Sequence, residues 1–406
     1  MKIVEINTFH NGSTGNIMMQ IASRARESHM EVLTFSTVPF SVSGPQKKVR
    51  LPDHHYFGSF FGNGLHYALA QLTDGNGFHS RAATYRLTRK LRKYGPDIIH
   101  LHNIHTFCIN LEILFRYIRK NHVKVIWTFH DCWAFTGHCA HFEMAGCDRW
   151  KEGCGSCPQY NDDPKSRVDR SAAIWAKKKK ILGEGLDLTI VTPSAWLSRL
   201  SKQSFLKAYP TYVIHNGIDL GVFRRRPSGF REAYGLQDKY IVLAVASDWG
   251  KRKGLDVLAE LSGRLDDPYR IVVVGTNQNT DRELPDGIIS IHRVDNAEKL
   301  AEIYSAADVF VNPTREDTFP TVNLEALACG APVVTFDAGG SSETIDETCG
   351  IVVKKEDVGG MAEAVSRICE NHIITHDSCI AYARKFDRNL CFDSYVSLYR
   401  KTGRPQ

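Results

Sequence analysis

The sequence predicts an α/β protein of two doubly wound, Rossmann-like domains facing each other across a cleft. Three observations carry this. Strand-like and helix-like segments alternate from end to end, the alternation restarts in mid-chain, and 406 residues exceed one ordinary domain. The first series of short apolar, β-branched runs contains Lys2 to Thr8, Glu31 to Ser36, Asp97 to His102, Lys124 to His130, Asp187 to Ser194 and Tyr212 to Asn216. The second starts at Tyr240 to Ala246 and continues through Tyr269 to Gly275, Gly287 to His292, Asp308 to Asn312, Pro332 to Phe336 and Gly350 to Val353. Between them Ile218 to Asp238, with Arg224-Arg-Arg-Pro-Ser-Gly229, is polar and turn-rich as linkers are. The expected domains are 1–220, 221–385 and a C-terminal helix, 386–406, crossing back to the first. Two such domains on one linker leave a cleft, a favoured ligand site.

Composition sets the class. Hydrophobic residues make up 43% and charged residues 24%, and no apolar run approaches the ~20 residues that span a bilayer. Met1 to Thr8 alternates like a first strand, and Glu5 interrupts any signal-peptide core, so a cytoplasmic location is expected. Eleven cysteines then argue against a disulfide framework and for metal binding or packing. A net charge of +6 suits anionic ligands without demanding nucleic acid.

Two loops follow first strands. Phe9-His-Asn-Gly-Ser-Thr-Gly15 precedes a helix with Ile17, Ile21 and Ala25 on one face; it reads equally as a tight turn or as a ligand loop in which Gly15 lets the backbone approach. Ser247-Asp-Trp-Gly-Lys-Arg-Lys-Gly254 sets Lys251, Arg252 and Lys253 beside glycines at a strand's carboxyl end. That composition suits a diphosphate, the other reading being a solvated basic loop. Further on, Asp317 and Glu325 stand eight positions apart, the first in the loop after Asp308-Val-Phe-Val-Asn312, the second in a helix from Thr321 to Cys329. Both read as surface acids or as ligand groups; Glu325, between Leu324 and Ala326 in an apolar helix, favours a directed acceptor, and ionised carboxylates are natural partners of sugar hydroxyls.

These features together resemble the donor site of retaining family-four glycosyltransferases with the GT-B fold. The basic loop ending in Lys253-Gly254, the Asp317-x7-Glu325 pair and Glu325-Ala-Leu-Ala-Cys-Gly-Ala-Pro-Val-Val334 carry the resemblance. Thr128-Phe-His-Asp131, Thr192-Pro-Ser-Ala-Trp196 and His215-Asn-Gly-Ile-Asp219 extend it to the first half. The resemblance implies a hexosyltransferase that takes a nucleotide diphosphate sugar and a glycan or lipid-linked acceptor in bacterial surface polysaccharide synthesis. Lys253 would contact the diphosphate, Glu325 the ribose hydroxyls and Asp317 the transferred sugar. The segment Thr318, Phe319, Pro320, Thr321 would close around sugar and phosphates, His130 would meet the sugar, and Gly15 would line the cleft. No cofactor is required for such catalysis. Two positions depart from the family: Asp317 stands where Glu is usual, and Asp248 where an Arg is usual, leaving Lys251 or Arg252 to take that role. The alternative they raise is a catalytically silent nucleotide-sugar-binding or assembly subunit.

A second feature lies in 132–160. Cys139, Cys147, Cys154 and Cys157, spaced x7, x6 and x2, would suit a tetrahedral structural zinc; packed free thiols are the other reading. The run also resembles a Cys-rich insertion of the exopolysaccharide and colanic-acid subgroup of these transferases. Two basic helical stretches, Arg81 to Lys93 and Trp175 to Ile181, would serve peripheral attachment to anionic lipid or form solvated faces.

Overall fold

The computed structural model describes residues 1–403 apart from 39, 42–43, 46–49, 163 and 295. The chain divides into two compact units, Met1–Ile214 together with the C-terminal segment from Phe392, and His215–Cys391.

Unit 1 is built on a seven-stranded parallel sheet: β1 (Lys2–Ile6), β2 (Glu31–Thr37), β3 (His54–Phe57), β4 (Ile98–Leu101), β5 (Lys124–Thr128), β6 (Leu188–Thr192) and β7 (Thr211–Val213), in the order β3-β2-β1-β4-β5-β6-β7. The order reverses between β1 and β4, the switch point of a doubly wound sheet. Strands such as β4 and β6 are buried along their whole length, as expected of parallel strands covered on both faces. One strand, β3, has no counterpart among the expected segments.

Unit 2 has six parallel strands: β8 (Tyr240–Val245), β9 (Tyr269–Thr276), β10 (Ile289–His292), β11 (Val309–Asn312), β12 (Val333–Phe336) and β13 (Gly350–Val353). Their order, β10-β9-β8-β11-β12-β13, repeats the reversal, now between β8 and β11. Its core is one cluster that includes Ile241, Leu243, Val273, Phe310, Leu324 and Val334.

The division between units falls before the expected linker. His215 to Asp219 pairs with the segment ahead of the last helix: Ile218 N donates to Phe386 O at 2.9 Å, Arg388 N to Ile218 O at 2.9 Å, and the Arg388 guanidinium meets Asp219 at 2.6 Å. Gly217 has no room for a side chain, since a Cβ there would stand 2.4 Å from Arg388 Cα. These residues therefore fold with unit 2. The last helix, Arg388–Thr402, spans the other division and joins unit 1 from Phe392.

One of the two basic stretches turns a lysine inward, while Lys179 and Lys180 stay exposed. Helical periodicity puts Lys178 beside Ile174, Trp175 and Ile181, all buried. Its ammonium donates to Trp133 O at 2.6 Å and Thr136 O at 3.0 Å and lies 3.5 Å from the Trp133 ring centre. Burial pulls this amine down to about 7. Lys178 thus pins the start of the Cys-rich segment.

Candidate functional site

The loops after β8 and β11 flank the unit 2 switch point, where open α/β sheets place ligands. After β8, Trp249 anchors the chain by donating from Nε1 to Val274 O at 2.9 Å, and Lys251–Lys253 forms one 3-10 turn. Gly254 ends it in the left-handed region, φ 77°, with Pro313 O only 2.3 Å from where a Cβ would sit. A side chain at 254 would push the two loops apart. Arg315 N donates to Arg252 O at 2.9 Å, and the Arg252 guanidinium to Glu316 O at 3.1 Å. Arg315 also reaches Lys251 O, Asp256 and Glu356 within 3.0 Å. The basic turn is thereby held against the acidic loop by backbone and side chain alike.

Within this frame the Lys253 ammonium hydrogen-bonds the Asp317 carboxylate. Burial pushes the Asp317 carboxyl up, but the charge and hydrogen bond of Lys253 pull it down further, so it stays below the usual carboxylate range. Asp317 Oδ1 also accepts from Phe319 N at 3.1 Å. Behind it, Gly340 N donates to Asp317 O at 2.9 Å, and Gly339, φ 60°, would place a Cβ 2.1 Å from the same oxygen. Only glycine lets this loop lie so close to Asp317. Thr318, Phe319 and Pro320 are buried, and the Phe319 ring stacks on His215 at 4.9 Å between centres.

The helix Thr321–Ala328 starts directly after Pro320, and no side chain caps it. Its first N–H groups are therefore available to an anion. One turn in, Glu325 Oε2 accepts from the Tyr304 hydroxyl at 3.1 Å, and Thr321 adds a side-chain hydrogen bond. Burial raises the Glu325 carboxyl to about 7 against those bonds. Lower in the helix, Asn323 fixes the loop ends by bonding Asn312 at 2.8 Å and Thr344 at 2.8 Å. The two loops and the helix start thus supply ammonium, guanidinium, helix N-terminus and two carboxylates: cations and N–H groups suited to a diphosphate, acceptors suited to hydroxyls. Asp248 is exposed on the basic loop.

Unit 1 carries the other two expected residues, Gly15 and His130. Gly15 is buried in the first turn of the helix Gly12–Glu27, where a Cβ would meet His10 C at 2.6 Å and Phe9 O at 2.8 Å. The loop itself fills that space. His130 follows β5 and is buried, with Nε2 3.1 Å from His102 Nδ1. Burial lowers its imidazole to about 3.

Among the described residues no cysteine is in a disulfide. Cys139 and Cys157 share a hydrogen bond, and Gly137 N donates to Cys154 Sγ at 3.2 Å. Cys147 packs at the edge of the same core. Among the described residues no three of these sulfurs lie within 4.8 Å of one another, so the thiols converge without forming a closed set. Beside them His138 Nδ1 meets the Asp74 carboxylate, and its Nε2 is buried without a hydrogen bond.

Comparison with known proteins decides what this architecture belongs to. Residues 54–222 match the model of Glycosyltransferase Family 4, and residues 239–371 match that of Glycosyl transferases group 1. The chain belongs to these glycosyltransferases. Among curated glycosyltransferases, it is 28% identical over 273 residues to the putative colanic acid biosynthesis glycosyl transferase WcaC of Escherichia coli K12. That stretch is 64% of each chain, so less than two thirds of the relative is spanned. Of solved structures, a sucrose-phosphate synthase from Thermosynechococcus elongatus superposes with a TM-score of 0.75 at 19% identity, covering 98% of both chains. HepE from Anabaena, solved with UDP and glucose, gives 0.68 at 15%, covering 99% of this chain and all of the other. The shared architecture is the two-domain GT-B fold of glycosyltransferases.

Sequence reasoning missed Tyr304, Asn323 and the Gly339-Gly340 pair. Gly339-Gly340, two residues beyond the strand Val333–Phe336, is a signal of close backbone approach. Tyr304 carries none, because its partner lies 21 residues on across the fold.

Proposed function

We propose that the protein is a retaining glycosyltransferase that moves a hexose from a nucleotide diphosphate sugar to a glycan or lipid-linked acceptor in bacterial surface polysaccharide synthesis. The observation that carries this is the donor-shaped group of unit 2: Lys253 on Asp317, an uncapped helix start at Thr321, and Glu325 one turn further. Lys253 and the helix N–H groups neutralise charge growing on the leaving diphosphate, with Lys251 and Arg252 in the same turn. Glu325 accepts from the ribose hydroxyls, and Asp317 from the transferred sugar. His130 binds the sugar. The departing phosphate takes the acceptor's proton on the face it leaves, so no metal enters the step. WcaC and HepE support the polysaccharide and nucleotide-sugar parts of this reading, each within its own description.

The test is release of nucleoside diphosphate from a panel of nucleotide sugars, with product anomeric configuration read by NMR. Turnover with retention that disappears in a folded Glu325→Ala variant is expected. Donor binding without turnover across a broad acceptor set favours a silent binding subunit instead.

A cytoplasmic enzyme attached peripherally to the membrane completes the proposal. No helix of the described residues is long and apolar enough to cross a bilayer. Phe61, Leu65 and Leu72 are 85%, 61% and 52% exposed on the helix Phe60–Thr73, and a groove shared with it is lined by Arg81 and Arg86 of the next helix. Apolar side chains beside cations suit an anionic bilayer. Equal co-sedimentation with anionic and neutral vesicles would overturn that part. For the Cys loop we propose a structural zinc, supported by the soft donors and by the Asp74-oriented His138. About one zinc per chain is expected on elemental analysis; below about a tenth of that, the thiols are packing groups.

A further inference from the structure

In unit 1 the short segment Asp169 to Ser171 is a hub for the Cys-rich residues. Asp169 Oδ2 accepts from Cys157 N at 2.7 Å, and its Oδ1 accepts from Ser171 N at 2.9 Å. Arg170 N donates to Asp74 Oδ2 at 2.9 Å, and the other Asp74 oxygen meets His138 Nδ1. Gly137 is wedged between Ser171 O and Cys154, whose Cβ would stand 2.8 Å from a Cβ at 137. From there Gly137 N donates to Cys154 Sγ at 3.2 Å. Thr136 Oγ1 donates to Cys139 O at 2.5 Å and bends the chain at His138 and Cys139, and the Cys139 thiol shares a hydrogen bond with Cys157. Four donors, His138, Cys139, Cys154 and Cys157, are thereby tied to one hub.

Cys147 stands outside it. Its backbone N bonds Phe142 O at 3.2 Å, and its sulfur lies near Cys154 but makes no hydrogen bond among the described residues.

His138 has the setting of a metal ligand. It and Asp74 are 1% and 2% exposed at the side chain. As a carboxylate Asp74 can only accept, so Nδ1 donates to it and Nε2 keeps its lone pair. That buried Nε2 has no hydrogen bond among the described residues, and an unpaired buried acceptor is costly. The charge of His138 is felt at Cys157 and Asp169, which sets the ring on the cysteine side of the hub. A carboxylate on one ring nitrogen and a metal on the other is the usual arrangement of a ligating histidine. Charge favours the same set. Zinc with four thiolates carries two negative charges, and with three thiolates and an imidazole it carries one. The buried cation felt by Cys139 and Cys154 is Lys178 alone, so the mixed set leaves one charge fewer unbalanced. Among the described residues no three of these donors lie within 4.8 Å of one another, so the site closes on the ion as the thiols rotate and release their protons to solvent.

We infer that the metal of the Cys-rich segment is held by His138, Cys139, Cys154 and Cys157, with Asp74 orienting the imidazole and Cys147 outside the shell. The assignment rests on the structural zinc proposed above; whether a metal binds and which side chains hold it are read separately.

The test is zinc K-edge X-ray absorption on the full chain purified without added metal, with zinc affinity measured by chelator competition. Three sulfurs at about 2.3 Å and one nitrogen at about 2.0 Å are expected. Cys147→Ser keeps that shell and the wild-type affinity. His138→Ala loses the nitrogen and weakens zinc by more than about a hundredfold, while Asp74→Asn keeps the shell and weakens zinc about 10–100-fold. Where His138→Ala does not fold, the wild-type shell and Cys147→Ser decide. A shell of four sulfurs without nitrogen, loss of zinc in Cys147→Ser, or wild-type affinity in His138→Ala overturns the assignment and leaves the zinc standing. Less than about a tenth of an equivalent of zinc overturns the zinc reading, and the ligand assignment with it.

Discussion

Asp317→Asn removes the counter-charge of Lys253 and nothing else of similar size. The two side chains are 17% and 18% exposed, so the pair is neither a surface pair nor a dry one. Breaking a fully buried pair costs about 3–5 kcal/mol, and exposed pairs are worth below about 1 kcal/mol. Intermediate exposure puts the loss at about 2 kcal/mol. For a unit of this size that is a fall of roughly 4–8 °C in melting temperature. Inorganic pyrophosphate reverses the ordering. In the wild type it competes with Asp317 for the Lys253 ammonium, whereas in Asp317→Asn it supplies the missing anion, and tighter binding to the folded state gives a larger upward shift. Scanning calorimetry at neutral pH, with and without pyrophosphate, reads both effects. Asp317 is held below the usual carboxylate range, so the pair contributes stability above the unfolded value of 3.8 and loses it only as pH falls below that. A melting temperature unchanged by Asp317→Asn, or a pyrophosphate shift no larger than in wild type, refutes the reasoning.

Glu325→Gln keeps a partner for Tyr304 and is expected to weaken nucleoside diphosphate binding about tenfold, a charged hydrogen bond's worth, with no effect on a 2′,3′-dideoxy analogue. Wild-type affinity should fall as pH drops below about 7, where Glu325 takes up its proton, and the Gln variant should lose that dependence in a calorimetric titration. Gly254→Ala meets Pro313 O and a left-handed φ together, so a loss of several kcal/mol, on the order of 3, is expected in denaturant melts. Glu5, raised from 4.5 to about 8, contributes stability present below pH 4.5 and lost as pH rises through 8, on the order of 5 kcal/mol. Glu5→Gln should therefore flatten the melting temperature between those pH values, and an unchanged slope would contradict a buried neutral carboxyl.

The repeated strand series was readable because parallel strands buried on both faces are continuous apolar runs, and Tyr240 to Ala246 starts the second as plainly as Lys2 starts the first. The strand His54–Phe57 was not, since His-His-Tyr-Phe shows neither alternation nor an apolar run. The division at His215 hides in a pairing with Phe386 and Arg388, about which local composition says nothing. Four consecutive lysines read as solvent-facing until helical periodicity puts one of them inward. In the site, Lys253, Asp317 and Glu325 stood out because charges beside glycines and in an apolar helix are conspicuous. Tyr304 looks like any core aromatic. Glu5 reads as an interruption of an apolar run, and its meaning depends on Tyr399, 394 positions away.

The central claim is that unit 2 holds a nucleoside diphosphate between Lys253 and Glu325. Calorimetric titration of a panel of nucleoside diphosphates into the full chain tests it most directly. One site per chain is predicted for at least one base, weakened about tenfold or more by Lys253→Met and by Glu325→Ala separately. No binding by any base, or binding that both variants leave intact, would contradict it.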